Sequence, residues 1–392
     1  MKAQILLWGI PGVVALVLIA GAIWIWSLPS PAAASPPPIA QAETDAAHAA
    51  LKPRKRARPL IAIIGINDAT ETTDYVMPYG ILRRADVADV VMLATGPGLV
   101  QLYPALKVEP DATIAAFDAQ HPQGADYVIV PAMSRDDDPA ALAWIRAQAA
   151  KGAMVIGVCA GAKVVGAAGL LDGKRATTHW YYLKELREKN PSIRYVADRR
   201  LVVDDGVATT TGISASMPMS LTLIEAIAGR DKAKDVARSL GLAQWDVRHA
   251  SAAFSFTRPF ALTAIGNTAA FWNRDRFGIE LVGGIDEVSL ALVADAWSRT
   301  YRSRAVTFAR SAYAVQTLHG LRILPDQVEA DKSGQENLRP IGDRKPAVAL
   351  DETLQTISDR YGARTADFVA MQLEYPARGH RSPDRGAAET SR

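Results

Sequence analysis

Cysteine is almost absent: Cys159 stands alone in 392 residues, which excludes an intrachain disulfide and the CxxC spacings of structural zinc. Histidine is thin as well. The six, His48, His121, His179, His249, His319 and His380, are scattered without an i, i+4 pair, so no metal site and no cofactor is expected. Charge of one sign is also missing. A net value of +3 is too small to suggest nucleic acid, and no direct nucleic-acid partner is expected. What excess exists is local, in Lys52, Arg54, Lys55, Arg56 and Arg58, with no acidic residue among them. That cluster reads as a solvated stretch or as a contact with anionic lipid headgroups. With 49% hydrophobic and 22% charged residues the chain is globular in composition and long enough for two units.

No charge interrupts the run from Ile5 to Leu28, which carries Trp8, Trp24 and Trp26 and has Lys2 ahead of it. As a helix this length spans a bilayer, with tryptophans suited to the headgroup boundary. Ala32, Ala33 and Ala34 would suit a signal peptidase, but the run exceeds a usual signal core. Residues 1–28 are therefore expected to be an uncleaved transmembrane anchor, with a cleaved signal as the alternative. Positive charge ahead of the helix implies a single-pass protein of the inner (cytoplasmic) membrane, its globular part extracytoplasmic. Residues 29–58, with Pro29, Pro31, Pro36, Pro37 and Pro38 among alanines, read as an extended spacer.

Residues 59–242 alternate short apolar strands with helices. Pro59-Leu-Ile-Ala-Ile-Ile-Gly65, Val90-Val-Met-Leu-Ala94, Tyr127-Val-Ile-Val-Pro131 and Met154-Val-Ile-Gly-Val158 read as buried parallel strands. Helices are expected from Asp74 to Arg84, Ala140 to Lys151 and Ala160 to Ala168, giving a three-layer α/β/α sandwich around a parallel sheet. At Val155-Ile-Gly-Val-Cys-Ala-Gly-Ala162 a strand ends in Gly157-x-Cys159-x-Gly161 and a helix begins at once. That is the layout of a nucleophile elbow, where a tight turn needs small neighbours. The helix N-terminus favours thiolate, and backbone N–H groups around Gly157, Ala160 and Gly161 suit a developing oxyanion. Cys159 is expected to be an exposed, reactive thiol.

At these residues the chain resembles the DJ-1/PfpI superfamily, with its flavodoxin-like, class I glutamine amidotransferase-like fold. Ala168-Gly-Leu-Leu-Asp-Gly-Lys-Arg-Ala-Thr-Thr-His-Trp180 and Thr211-Gly-Ile-Ser-Ala215 look like the stretches that follow the elbow in the amidase-like domains of AraC-type regulators. The resemblance implies that Asp74 hydrogen-bonds the cysteine, or else caps its helix, and that His179 is a candidate base or a structural residue. Thr177 and Thr178 read as strand surface. Hydrolytic family members carry histidine directly after the cysteine and isonitrile hydratase-like members carry threonine, whereas this chain has Ala160. A ready-made Cys-His pair is missing.

Residues 243–375 repeat the first unit weakly. Leu221 to Leu240 aligns without gaps on Leu354 to Leu373, sharing Gly229/Gly362, and the order of strands and helices from Ile61 to Asp111 recurs from Ile279 to Asp326. No second cysteine elbow follows, and Ser289 stands where Asp74 stood. The expectation is a degenerate half-repeat packed on the first unit, followed by a disordered tail at 376–392. The function is expected to be either cysteine-dependent chemistry on a small electrophile, as a hydrolase, hydratase or glyoxalase, or non-catalytic ligand or redox sensing. A small-molecule ligand, the membrane and a second copy in a homodimer are the expected partners.

Overall fold

The computed structural model of the chain describes residues 2–243, 245–331 and 334–376. Beyond Pro376, the tail assigned to 376–392 lies outside the described residues. Helix α1 spans Lys2–Ser27 and α2 spans Gln41–Leu51. Among the described residues no helix is long and apolar enough to cross a membrane. This corrects the expected transmembrane anchor and with it the inner-membrane, extracytoplasmic placement. The end of α1 docks on the globular body. Arg258 donates from its backbone N to Pro29 O (3.0 Å) and from its guanidinium to Trp26 O (2.9 Å), over the Trp26 ring.

The 29–58 segment is more ordered than its prolines suggest. It contains α2, whose Glu43 pairs with Arg175 and Arg199 and whose buried Leu51 accepts a bond from Tyr127 Oη (2.6 Å). Three residues of the basic cluster bond to the first unit, while Lys52 and Arg54 are exposed. Arg56 pairs with Asp126 at 2.5 Å, Lys55 donates to Ala125 O, and Arg58 reaches Asp86 and Asp89.

The first unit runs β1 (Leu60–Gly65), β2 (Asp68–Glu71), α3 (Thr72–Ala85), β3 (Asp89–Ala94), β4 (Val100–Tyr103), β5 (Lys107–Glu109), β6 (Ala112–Thr113), α4 (Ile114–Gln120), β7 (Tyr127–Val130), α5 (Pro139–Ala150), β8 (Met154–Gly157) and α6 (Gly161–Ala167). It continues through β9 (Arg175–Ala176), α7 (Leu183–Lys189), β10 (Arg194–Tyr195), β11 (Leu201–Asp204), β12 (Val207–Thr210), α8 (Ser216–Ala228) and α9 (Arg230–Leu240). Its seven-stranded sheet has the order β11-β12-β8-β7-β1-β3-β6, parallel except for β11 against β12. Both faces are covered, which explains the unbroken apolar runs. Ile61, Ile63, Ile129 and Ile156 pack toward α3 and α8, while Ala62, Ile64, Val130 and Val155 pack toward α5 and α6.

The second unit comprises α10 (Arg258–Ala269), β13 (Asp275–Glu280), α11 (Glu287–Ser298), β14 (Ser303–Ala309), β15 (Val315–Gln316), β16 (Arg322–Leu324), β17 (Gln327–Val328), β18 (Glu336–Asn337), α12 (Pro346–Tyr361) and α13 (Ala363–Gln372). Its sheet, β17-β14-β13-β18, is wholly parallel. One sequence offset separates Leu60 from Asp275, Lys107 from Arg322 and Ala112 from Gln327, each opening its strand, and Ala94 from Ala309, each closing its strand. Even side-chain bonds recur at that offset: Asp111 accepts from Met92 N (2.7 Å) and Asp326 from Thr307 N (2.9 Å). Gly229 and Gly362, which join α8 to α9 and α12 to α13, share left-handed φ of 88° and 87°, a conformation that favours glycine.

The units meet about a pseudo-two-fold axis. In a third sheet, β15-β16-β5-β4-β2, strand β5 pairs antiparallel with β16 through Lys107↔Leu324, Val108↔Ile323 and Glu109↔Arg322. Val108 and Ile323 are themselves equivalent, so the pairing is its own mirror in register. Helices α3 and α11 repeat the pattern. The carboxylate capping each helix, Glu71 or Asp286, receives an arginine from the far end of the other, Arg299 or Arg84.

Candidate active site

Strand β8 ends at Gly157, and after Val158 the backbone enters the left-handed region at Cys159 (φ 56°) before α6 begins. A non-glycine residue there is strained, as at a nucleophile elbow. Packing fixes the flanking glycines. A Cβ on Gly157 would lie 3.0 Å from Ala162 N and Cα, and one on Gly161 would lie 1.9 Å from Val130 O. The backbone donors divide differently from expectation. Cys159 N–H donates to Thr210 Oγ1 (3.0 Å) and Gly161 N–H to Val158 O (2.7 Å). Ala160 N–H faces the sulfur. Of Gly157, Ala160 and Gly161, only Ala160 offers a donor at the thiol, and the glycines act as spacers. Thr178 Oγ1 donates to Cys159 O (2.9 Å) and Thr177 N–H to Thr209 Oγ1 (2.9 Å), both residues buried behind the elbow rather than on a strand surface.

Cys159 is 4% exposed and sits on the floor of a cavity of about 720 Å³. Glu71, Tyr103, Lys163 and Tyr182 come to this cavity from the first unit, and Arg299, Tyr301 and Gln372 from the second. The thiol is not the low-pKa thiolate expected from the helix N-terminus. Burial raises its pKa well above the usual cysteine range, and Asp74, Glu71 and Glu374 add to the rise against one lowering contact from Ala160 N–H. Helix α6, with 7 residues, is too short a dipole to offset that desolvation.

Asp74 is fully buried, and burial followed by the nearby Glu71 charge pushes its pKa well up. Its Oδ2 accepts from Ala132 N (3.2 Å), while Oδ1 has no hydrogen-bond partner. The cap of α3 is Glu71, which accepts from Asp74 N (2.6 Å) and from Thr73 Oγ1. Glu71 is thus a carboxylate of the cavity wall that the sequence reading passed over. Burial, then Asp295, raise its pKa to about 7, against the pull of Arg299 at 2.6 Å.

A buried strand-elbow-helix with carboxylates beside the cysteine agrees with the sequence match: residues 61–226 fit the DJ-1/PfpI family model. The chain carries a DJ-1/PfpI family domain. This domain is similar to the isonitrile hydratase of Pseudomonas putida, 43% identical over 99 residues, 25% of this chain and 42% of that protein. It is also similar to the Parkinson disease protein 7 homolog of Danio rerio, 26% identical over 180 residues, 45% of this chain and 93% of that one. The HTH-type transcriptional regulator CdhR of Pseudomonas aeruginosa is 33% identical over 104 residues, 26% of this chain and 31% of the regulator. The chain thus spans less than half the length of the hydratase and of the regulator. Among solved structures, Drosophila melanogaster DJ-1beta matches with a TM-score of 0.43 at 21% identity, covering 48% of this chain and 100% of that one.

Within the DJ-1/PfpI domain His179 is placed near the cysteine but is fully engaged elsewhere. Its Nδ1 accepts from Tyr181 N–H (3.2 Å), which leaves the proton on Nε2 to donate to Gln372 O (2.9 Å). Burial lowers its pKa, so the ring is a neutral strut between units and neither nitrogen is left for Cys159. Glu374, missed in the sequence, enters from beyond α13 with its carboxylate accepting from Trp180 N (2.7 Å) and Gly212 N (2.8 Å). His249 Nε2 lies 3.3 Å from it.

Burial pushes the His249 pKa down to about 4, outweighing the opposite pull of Glu374. The folded value lies below the unfolded one, so the unfolded chain binds the extra proton. This stability is whole above about pH 6.5 and is lost as pH falls toward 4, to the extent of about 3 kcal/mol. Urea titrations are expected to show the wild type losing that much more than His249→Asn across this window. The comparison with the variant is needed because Glu71, Asp74 and Asp295, raised by burial, act with opposite sign.

Proposed function

We propose that the DJ-1/PfpI domain uses Cys159 to add to the electrophilic carbon of a small uncharged substrate, an isonitrile or a reactive carbonyl. The observation that carries this reading is the sulfur's position on left-handed backbone, lining a cavity with Glu71 in its wall. Because the resting thiol holds its proton, sulfur and proton are delivered together. The S–C bond forms as the thiol proton passes, by way of Glu71, to the substrate. With an isonitrile, water then adds to the thioimidate carbon and expels the thiol, which takes a proton back, leaving the formamide. With a glyoxal, the hemithioacetal first moves its C1 hydrogen to C2 as a proton by way of a carboxylate, and water hydrolyses the resulting thioester to the 2-hydroxy acid. In both cases the net change is addition of water with no external oxidant or reductant. Glu71, its pKa raised by burial to about 7, is suited to hold and release that proton near neutrality, with Asp74, pushed well up by burial, beside it. The match to an isonitrile hydratase favours an isonitrile as the first substrate to try. Turnover of isonitriles and glyoxals by the full chain should fall about a hundredfold or more in Cys159→Ala. Equal turnover in that variant would sink the reading.

The second reading, a ligand-sensing chamber without turnover, is favoured by the buried, high-pKa thiol and by the match to transcriptional regulators. It predicts that Cys159→Ala binds the same small molecules as the wild type and that neither protein consumes them.

A further inference from the structure

The pseudo-two-fold axis creates two arginine–carboxylate pairs that are equivalent in sequence and in place yet differ in what they face. Arg84, in the last turn of α3, pairs with Asp286, the cap of α11. Arg299, just past α11, pairs with Glu71, the cap of α3, at 2.6 Å. Arg299 and Glu71 line the Cys159 cavity, whereas Arg84 and Asp286 do not. Arg299 is anchored on its own helix by Asp295 through Nε (2.7 Å), and its carbonyl accepts from Gln372 Nε2 (3.0 Å). Gln372 in turn accepts from His179, beside the elbow.

We propose that the second unit serves the Cys159 cavity as a built-in partner, with Arg299 as a positioning residue that reaches across the pseudo-two-fold axis to hold the Glu71 carboxylate in the cavity wall. The inference deepens the nucleophile reading above and rests on it for its chemical meaning. The guanidinium spans two carboxylates, with Nε on Asp295 and a terminal N–H on Glu71, and its planar donors fix direction as well as charge, whereas a lysine supplies only a point charge. The groups facing Glu71 are Thr73 and Asp74 on α3, Asp295 on α11, Arg299 just past its end, and Cys159 at the elbow. Arg299 is the cation of that set. Without it, Glu71 would face Asp74 and Asp295 alone and would ionise only at higher pH. The second unit has no cysteine, and its service to the first unit's cavity gives it a role without a nucleophile of its own.

The twin pair supplies the control. Arg84→Gln removes the same kind of ion pair from the same interface and leaves the cavity untouched. The full chain would be prepared as wild type, Arg299→Gln, Arg299→Lys and Arg84→Gln. The Glu71 carboxyl would be titrated by infrared difference against Glu71→Gln, in parallel with the pH profile of Cys159 alkylation by iodoacetamide. The expected result is an upward shift of the Glu71 midpoint by about one pH unit or more in Arg299→Gln, a smaller shift in Arg299→Lys, and none in Arg84→Gln. The alkylation profile should carry an inflection that moves with it. The same shift in Arg299→Gln and Arg84→Gln, or none in either, would overturn the proposal. A thiol inert at every pH would instead overturn the nucleophile reading, and the infrared midpoint would still decide the role of Arg299. Should Arg299→Gln fail to fold, Arg299→Lys against Arg84→Lys decides by the same criterion.

Discussion

Gly161→Ala is expected to destabilise the chain by about 4 kcal/mol or more and to abolish the Cys159 site. The added Cβ would stand 1.9 Å from Val130 O and 2.9 Å from the Pro131 carbonyl, all backbone atoms of the neighbouring strand end, so no side chain can swing away. Helix α6 would have to lift from β7, taking the elbow with it. Gly283→Ala is the matched control. Nothing lies within 4 Å of its Cβ position and its φ is ordinary, so its effect should stay within about 0.5 kcal/mol. Chemical denaturation of both variants, with cysteine alkylation as a local probe, checks the pair.

Glu374→Ala is expected to cost roughly 3–5 kcal/mol and to loosen the end of α13 from the DJ-1/PfpI domain. The carboxylate is wholly buried, and its loss strands the N–H groups of Trp180 and Gly212 without an acceptor. The neighbouring stitches would be weakened with it: Ser214 N–H to Leu373 O (2.9 Å), Ser214 Oγ to Glu374 O (2.7 Å) and Trp180 Nε1 to Met371 O (3.0 Å). Those contacts form the wall of the cavity that includes His179 and Trp180. Thermal melting gives the cost, and protection of the Trp180 and Gly212 amides from exchange would report the loosening directly.

The sheet of the first unit was legible because strands covered on both faces leave continuous apolar runs, as in Leu60–Gly65 and Tyr127–Val130. The elbow was legible because a tight turn admits only small neighbours, and Gly157 and Gly161 stand where larger residues would collide. What escaped notice lies far along the chain. Arg299 and Glu374 look like ordinary surface charges in their local sequence and acquire a role only when the second unit folds against the first. Glu71 had a usable signal, since it precedes the Thr-Thr-Asp start of α3 and recurs, with Arg84, as Asp286 and Arg299 at the offset shared by the strands. The thiol's ionisation was misjudged because a helix terminus is visible in sequence, whereas desolvation by three-dimensional packing is not. The proline-bearing stretch of the spacer does lack helix and strand, but its 41–58 part was misread for a similar reason: Glu43 and Leu51 find partners in Arg199, ahead of β11, and Tyr127, on β7, that only the fold supplies.

An assembly of two identical subunits must carry every substitution twice, and it presents each reactive centre in duplicate. Here the paired halves are one continuous polypeptide, so each can drift alone while their junction stays intact. One half is free to become a buttress while the other retains the sulfur. With one cysteine in the sequence, each chain titrates with one equivalent of thiol reagent, where a pair of undiverged halves would take two.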